Sequence, residues 1–158
     1  MEGGSTKKKI MIAIDESECS QHALQWALDN LGHTIAASEL IVFSVQLSSD
    51  YGSVYAATFG AAPPDLIRSL EENRKKFTLA LLEKAKEMCS QLGVNAETVA
   101  AVGDPKEEIC KAVDKLNIQL LVLGSHSRGA IKRAFLGSVS NYCVHNAKCP
   151  VLVVKKPA

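Results

Sequence analysis

The stretch Leu120–Cys143, LLVLGSHSRGAIKRAFLGSVSNYC, decides the fold. Its apolar run Leu120–Leu123 breaks at Gly124 into a loop, and Gly137 and Ser138 close that loop at the head of a second periodic segment. Strand, glycine-bearing loop and helix start in this order form a phosphate-cradling layout, because the first amides of a helix have no partner inside it and lie at the positive end of its dipole. The glycine spacing limits which cradle this is. Gly124 to Gly129 satisfies G-x-x-x-x-G, but Ala130 and Ile131 stand where a Walker A loop needs lysine and then serine or threonine. No G-x-G-x-x-G follows the first apolar run, where Asp15, Glu16, Ser17 and Glu18 stand instead, so a nicotinamide dinucleotide site of the usual kind is disfavoured.

Working outward, Lys9–Ile14 (KIMIAI) is a continuous apolar run, which suits a strand buried on both faces. Ser20–Leu31 carries Ala23, Leu24, Ala27, Leu28 and Leu31 at helical spacing, with Gly32 placed as its C-cap. Glu39–Leu47 (ELIVFSVQL) reads as a second strand. Pro63, Pro64 and Asp65 open a long helix to about Leu92, with Leu66, Leu70, Phe77, Leu81, Ala85, Met88 and Leu92 on its predicted core face and Gly93 closing it. Ala96–Val102 is a third strand, and Asp104 as cap with Pro105 in the first turn and Glu107 behind it starts a short helix to Leu116. Ile118–Leu123 is a fourth strand, Ser138–Asn146 a further helix, and Pro150–Val154 a last strand. Strands alternating with helices imply a doubly wound parallel sheet with right-handed crossovers. Such sheets bind ligands beyond the carboxyl ends of their strands, where the strand order reverses. The first and fourth strands are the natural pair at that crevice, which brings Asp15 and the loop after Gly124 to one mouth.

A length of 158 residues with 47% hydrophobic side chains fits one domain, expected over 9–155, with residues 1–8 as a disordered tail and 48–64 as a mobile insertion. Tyr51, Tyr55 and Phe59 in that insertion are spaced for a lid, a nascent helix or a partner surface. The formal net charge of +1 offers no field for nucleic acid or an anionic membrane, so any phosphate binding must be local. No apolar run approaches the about 20 residues a membrane span needs, and MEGGSTKKK leads into no signal-type apolar segment. A cytoplasmic protein is expected, with nuclear access open. The five cysteines are an odd number without a C-x-x-C pair, which reads as reduced thiols packed in the core. The four histidines lack zinc-ligand spacing, and no G-x-S-x-G nucleophile elbow is present, so no catalytic residue is assigned. His126 alone lies in the phosphate loop.

The segment resembles the universal stress protein family, specifically its nucleotide-binding branch and plant-type single-domain members, whose loop reads G-x2-G-x9-G-[S/T]. Gly124, Ser127, Gly137 and Ser138 reproduce that spacing, with Ser127 in place of the second glycine. The likeness extends from about Lys9 to Val154 and includes the strand ending in Asp15, VGDPKEEI (Val102–Ile109), GAIKRAFLGSVSNYC and CPVLVV. It implies an adenine-nucleotide alpha hydrolase-like (Rossmann-like) α/β fold with a five-stranded parallel sheet of order 3-2-1-4-5. It also implies binding of ATP, or of AMP or ADP, with Mg²⁺. By the same resemblance Ala13, Ile14 and Val45, with Val102 and Gly103 nearby, would form the adenine slot. Leu123 and Gly124 would meet the ribose and α-phosphate, and the loop residues Ser127, Arg128 and Gly129 would follow the phosphates, Arg128 being the best placed basic side chain. Gly137, Ser138, Val139 and Ser140 would hold the outer phosphates through main-chain amides and two hydroxyls.

Asp15 would take a ribose hydroxyl or join a Mg²⁺ shell through water, and it has the alternative of capping the first helix with Glu18 in a capping box. Ser138 has the alternative of a plain N-cap, and Gly103 that of easing a turn. A Cβ at position 127 costs about 1 kcal/mol where a glycine conformation is required, while its hydroxyl offers a substitute contact. The resemblance implies a nucleotide-dependent stress-response or signalling module that dimerises through the Pro150–Val154 edge strand. A scaffold or chaperone-like protein that binds no nucleotide, and a slow ATPase, are the competing expectations.

Overall fold

The computed structural model describes residues 7–48, 58–60, 63–126 and 136–157. Five strands, β1 (Lys9–Ala13), β2 (Glu39–Leu47), β3 (Ala96–Gly103), β4 (Leu120–Gly124) and β5 (Val151–Val154), form one sheet of order β3-β2-β1-β4-β5. Every pairing is parallel, with Ala13 beside Phe43, Ile12 beside Val122 and Leu123 beside Val153. The helices are α1 (Glu18–Asn30), α2 (Gly32–Ala36), α3 (Pro64–Gln91), α4 (Pro105–Lys115) and α5 (Ser138–Asn146). This is the doubly wound architecture and strand order that the alternation and the resemblance implied. Among the described residues no helix is long and apolar enough to cross a membrane.

Side-chain alternation along the strands builds two cores. Ile10, Ile12, Leu40 and Val42 face α1 and α3, where Ala23, Leu24, Ala27, Leu82, Ala85 and Cys89 meet them. Met11, Ala13, Ile41, Phe43 and Val45 face α4 and α5 through Ile109, Ala112, Val113 and Cys143. Met11, Ile12, Val42, Leu121 and Val122 are all 0% exposed, each side chain of this size contributing about 1.5–3 kcal/mol of burial. That explains why the central strands read as unbroken apolar runs.

Four local expectations are corrected. Gly32 does not end α1: Leu31 is the C-cap, and Ile35 donates its amide to the Leu31 carbonyl, so the chain turns into α2 with Ile35 buried as its anchor. Asp15 and Glu18 form no capping box, because Ser17 is the N-cap and its hydroxyl accepts the Ser20 amide. Asp104 stands at the N-cap of α4 but its side chain makes no cap hydrogen bond, its Oδ2 instead accepting from Lys106 Nζ at 2.8 Å. The buried face of α3 is Thr78, Leu82, Ala85 and Cys89: of the predicted face, Ala85 is buried and Leu81 and Met88 pack against the core partly buried, but Leu66, Phe77 and Leu92 are exposed.

Cys110 on α4 and Cys143 on α5 meet inside the second core, one helical turn below Val139. Burial, reinforced by the neighbouring Cys110, pushes the Cys143 thiol from 9.0 up to about 12. A thiol whose pKa is raised on folding favours the folded state fully below the unfolded value and withdraws that support as pH climbs towards the folded one. Wild-type stability is therefore expected to fall between pH 9.0 and about 12, and Cys143→Ala to flatten that fall. Thermal melts across this range check it, and equal pH slopes in both proteins would refute it.

Candidate functional site

The site begins where the strand order reverses. From β1 the chain crosses to β2 on one side, and β4 then lies on the other, leaving a crevice beyond the carboxyl ends of β1 and β4. A cavity of about 180 Å³ opens there. One wall is Ile14, Asp15, Ser20 and Ser44 near the start of α1, and the other is Ala13, Phe43, Val45, Pro105, Ile109 and Val139 on the α4 and α5 side. Leu47, Leu123, Gly124 and His126 complete it.

The exit from β1 is held by a local hydrogen-bond set. The Ile14 amide donates to the Phe43 carbonyl at 2.8 Å and extends the ladder by one residue. The Ser20 hydroxyl then accepts the Asp15 amide at 2.7 Å and lies 3.3 Å from the Asp15 carbonyl, to which it donates. Asp15 Oδ1 accepts the Ser17 amide at 2.8 Å, an Asx-type turn that leads into α1 and fixes the carboxylate at the cavity, where Asp15 is only 9% exposed.

The opposite rim is set by two glycines that serve for space. A Cβ on Gly124 would lie 2.8 Å from both the carbonyl carbon and oxygen of Cys19, so the end of β4 abuts the first turn of α1 backbone to backbone. A Cβ on Gly137 would lie 3.1 Å from the Ser125 carbonyl oxygen and 3.2 Å from His126 Cα. Gly137, with φ −67° and ψ 166°, is the N-cap of α5 and no side chain caps that helix. Its amide donates to the Ser125 carbonyl at 2.8 Å, and the Ser140 hydroxyl donates to the same oxygen at 2.7 Å. Ser125 in turn donates its amide to Val154 at 3.1 Å, so the start of α5 is tied to the end of β4 and to β5.

Of the residues singled out from sequence, Ala13, Ile14, Asp15, Val45, Leu123, Gly124 and Val139 line the cavity. Gly137 and Ser140 frame its rim through Ser125, and Ser138 is the first residue of α5, so Gly137 and not Ser138 is the cap. Since the Gly137 amide and the Ser140 hydroxyl are engaged with Ser125, the amides of Ser138, Val139 and Ser140 are the donors α5 presents without an intrahelical partner. Val102 and Gly103 are not brought to the cavity. Val102 is 60% exposed on the edge strand β3, and Gly103, at φ +151° and crowded by Glu108, makes the turn into α4. Ser127, Arg128 and Gly129 lie outside the described residues, as do 1–6, 49–57 and 61–62 of the expected tail and insertion.

Sequence reasoning missed Ser20, Phe43, Ser44, Leu47, Pro105 and Ile109 in this lining. Phe43 and Ser44 were readable only as strand interior beside Val45. Pro105 and Ile109 sit one turn apart on α4, a spacing that marks one helix face but not what that face covers. Among the described residues no three histidine, cysteine or acidic side chains are grouped to hold a metal ion.

The sequence model of the Universal stress protein family matches residues 7–155. Universal stress protein A-like protein of Arabidopsis thaliana is 30% identical over 165 residues, covering 98% of this chain and 94% of the relative. Universal stress protein YxiE of Bacillus subtilis is 34% identical over 151 residues, covering 93% of this chain and 98% of that protein. A universal stress protein family protein from Arabidopsis thaliana, solved with AMP bound, superposes with a TM-score of 0.69 at 28% identity, covering 96% of this chain and 93% of the other. With the strand order, the crevice and a match running through nearly every element, this chain belongs to the universal stress protein family.

Proposed function

We propose that this chain binds an adenine nucleotide in the crevice between β1 and β4 and acts as a nucleotide-dependent stress-response module. The observation that supports it most is the convergence of seven sequence-selected residues on one apolar cavity whose rim is the uncapped start of α5. Pockets of this kind bury a ring system and orient it with a few polar groups. Ala13, Ile14 and Val45 would flank the base, Asp15 the ribose, and Leu123 and Gly124 the α-phosphate. The first amides of α5, from Ser138, Val139 and Ser140, would hold the outer phosphates at the positive end of the helix dipole, with Ser127, Arg128 and Gly129 along the loop. Mg²⁺ fits only through water and phosphate oxygens, because Asp15 is the one carboxylate in the described lining and already accepts the Ser17 amide. The AMP-bound Arabidopsis relative supports the ligand class. Acid extraction of the purified protein, with chromatography of the supernatant and calorimetry on adding AMP or Mg-ATP, tests it. No co-purifying adenine nucleotide and no heat with either ligand would end this reading.

The same module is proposed to work in the cytoplasm as a homodimer through β5. The Pro150 and Val154 carbonyls accept from Leu121 and Ser125, so by strand alternation the main-chain groups of Val151 and Val153 point away from β4. An edge of this kind is covered when two copies pair antiparallel about a two-fold axis. Val153→Pro removes one outward amide without touching the β4 ladder, and is expected to convert a dimer to a monomer in light scattering while nucleotide heat persists. A dimer that survives this change would place the contact elsewhere.

A further inference from the structure

We propose that Ser44 contacts the nucleoside of the bound ligand and helps determine its specificity. The residue is 2% exposed, and among the described residues its hydroxyl has no hydrogen-bond partner. Three other buried polar groups around the cavity differ in this respect, while Ser125, whose backbone ties the start of α5 to β4, is not among the residues that line it. Ser20 is engaged with the Asp15 backbone, Ser140 with the Ser125 carbonyl, and Asp15 with the Ser17 amide. A buried polar group left without a partner costs free energy, so its retention asks for an explanation outside the free chain.

The position of Ser44 supplies one. It lines the cavity and falls on the same strand face as Leu40 and Val42, an apolar setting that an alanine would suit equally well. Because Ala13 pairs with Phe43 and the Ile14 amide continues that ladder, Ser44 lies beside Ile14, next to Asp15. The start of α5, where phosphates would sit, belongs to the far side of the crevice beyond β4. A hydroxyl placed there meets the base edge or the ribose and not the phosphates, and it both donates and accepts.

This inference rests on the adenine-nucleotide reading, and the experiment separates the two. Calorimetry measures AMP and adenosine binding to wild type, Ser44→Ala and Ser44→Cys, and thermal melts are taken without ligand. Ser44→Ala is expected to weaken both ligands by the same factor, about 5–10-fold, with Ser44→Cys between it and wild type. The ligand-free melting temperature of Ser44→Ala is expected to equal or exceed that of wild type, since the change removes an unsatisfied group. Affinity within twofold of wild type, a loss confined to AMP, or a ligand-free protein destabilised by several degrees would each overturn the assignment. Wild-type protein that binds neither ligand would remove the nucleotide reading itself, and the role of Ser44 with it.

Discussion

Gly124→Ala is expected to lower the melting temperature by about 5–10 °C and to weaken nucleotide binding along with it. The added methyl would have to occupy space 2.8 Å from the carbonyl carbon and oxygen of Cys19 and 3.0 Å from the Ser20 amide nitrogen. All three atoms are backbone in the first turn of α1, so no rotamer change relieves the contact. Either β4 withdraws from β1, at the expense of the Ile10–Ile12 pairing with Leu120–Val122, or α1 lifts from the sheet and uncovers Ala23, Leu24 and Ala27. The second route also disturbs the Ser20 hydroxyl that fixes Asp15. Gly32→Ala is the matched control, because a Cβ there meets nothing within 4 Å and alanine is the better helix former. Differential scanning calorimetry of the two variants checks the pair. A Gly124→Ala protein as stable as wild type would show that the close approach of β4 to α1 is not a constraint on this fold.

The architecture was legible because its central strands are buried on both faces and therefore carry no polar interruption. Ile10–Ala13 and Leu121–Leu123 stand out in the sequence for the same reason that they stand in the middle of the sheet. The long helix was legible in extent and not in orientation. At 1.5 Å per residue, α3 runs about 42 Å, longer than any strand it crosses, so its fully buried positions begin only at Thr78, and the turns before it reach the sheet at the end of β2 through Glu71 and Arg74. Leu66 precedes that stripe and Phe77 lies to one side of it, and periodicity alone gives them the same weight as Leu82 and Ala85.

The candidate site divides in the same way. Residues at strand ends, such as Asp15 and Gly124, are marked by the abrupt stop of an apolar run. Ser44, Pro105 and Ile109 enter the cavity only through the stacking of β2 and α4 against β1, which no local pattern encodes. Ser17 caps α1 through the Ser20 amide while Asp15 Oδ1 accepts the Ser17 amide one step earlier, and the sequence offers both as caps of equal preference. The displaced carboxylate was thereby left at the crevice.

Gly137→Val is the variant expected to separate binding from folding most cleanly, with nucleotide affinity reduced more than tenfold and the melting temperature lowered by only a few degrees. Gly137 is in an extended conformation open to any residue, so valine introduces no backbone strain. Its Cβ would stand 3.1 Å from the Ser125 oxygen and 3.2 Å from His126 Cα, a crowding that a shift of a few tenths of an ångström relieves. The two further methyls enlarge that shift, and the part that moves is the start of α5 relative to Ser125. The amides of Ser138, Val139 and Ser140 move with it, away from the cavity that Gly124 and Val139 line. Donor arrays aimed at phosphate lose strength steeply with such displacement, because each N–H must keep its distance and angle at once. Adenosine, which carries no phosphate, is expected to bind Gly137→Val nearly as well as wild type, while AMP and Mg-ATP lose affinity. Equal losses for adenosine and AMP would mean that the start of α5 shapes the whole crevice and does not serve the phosphates in particular.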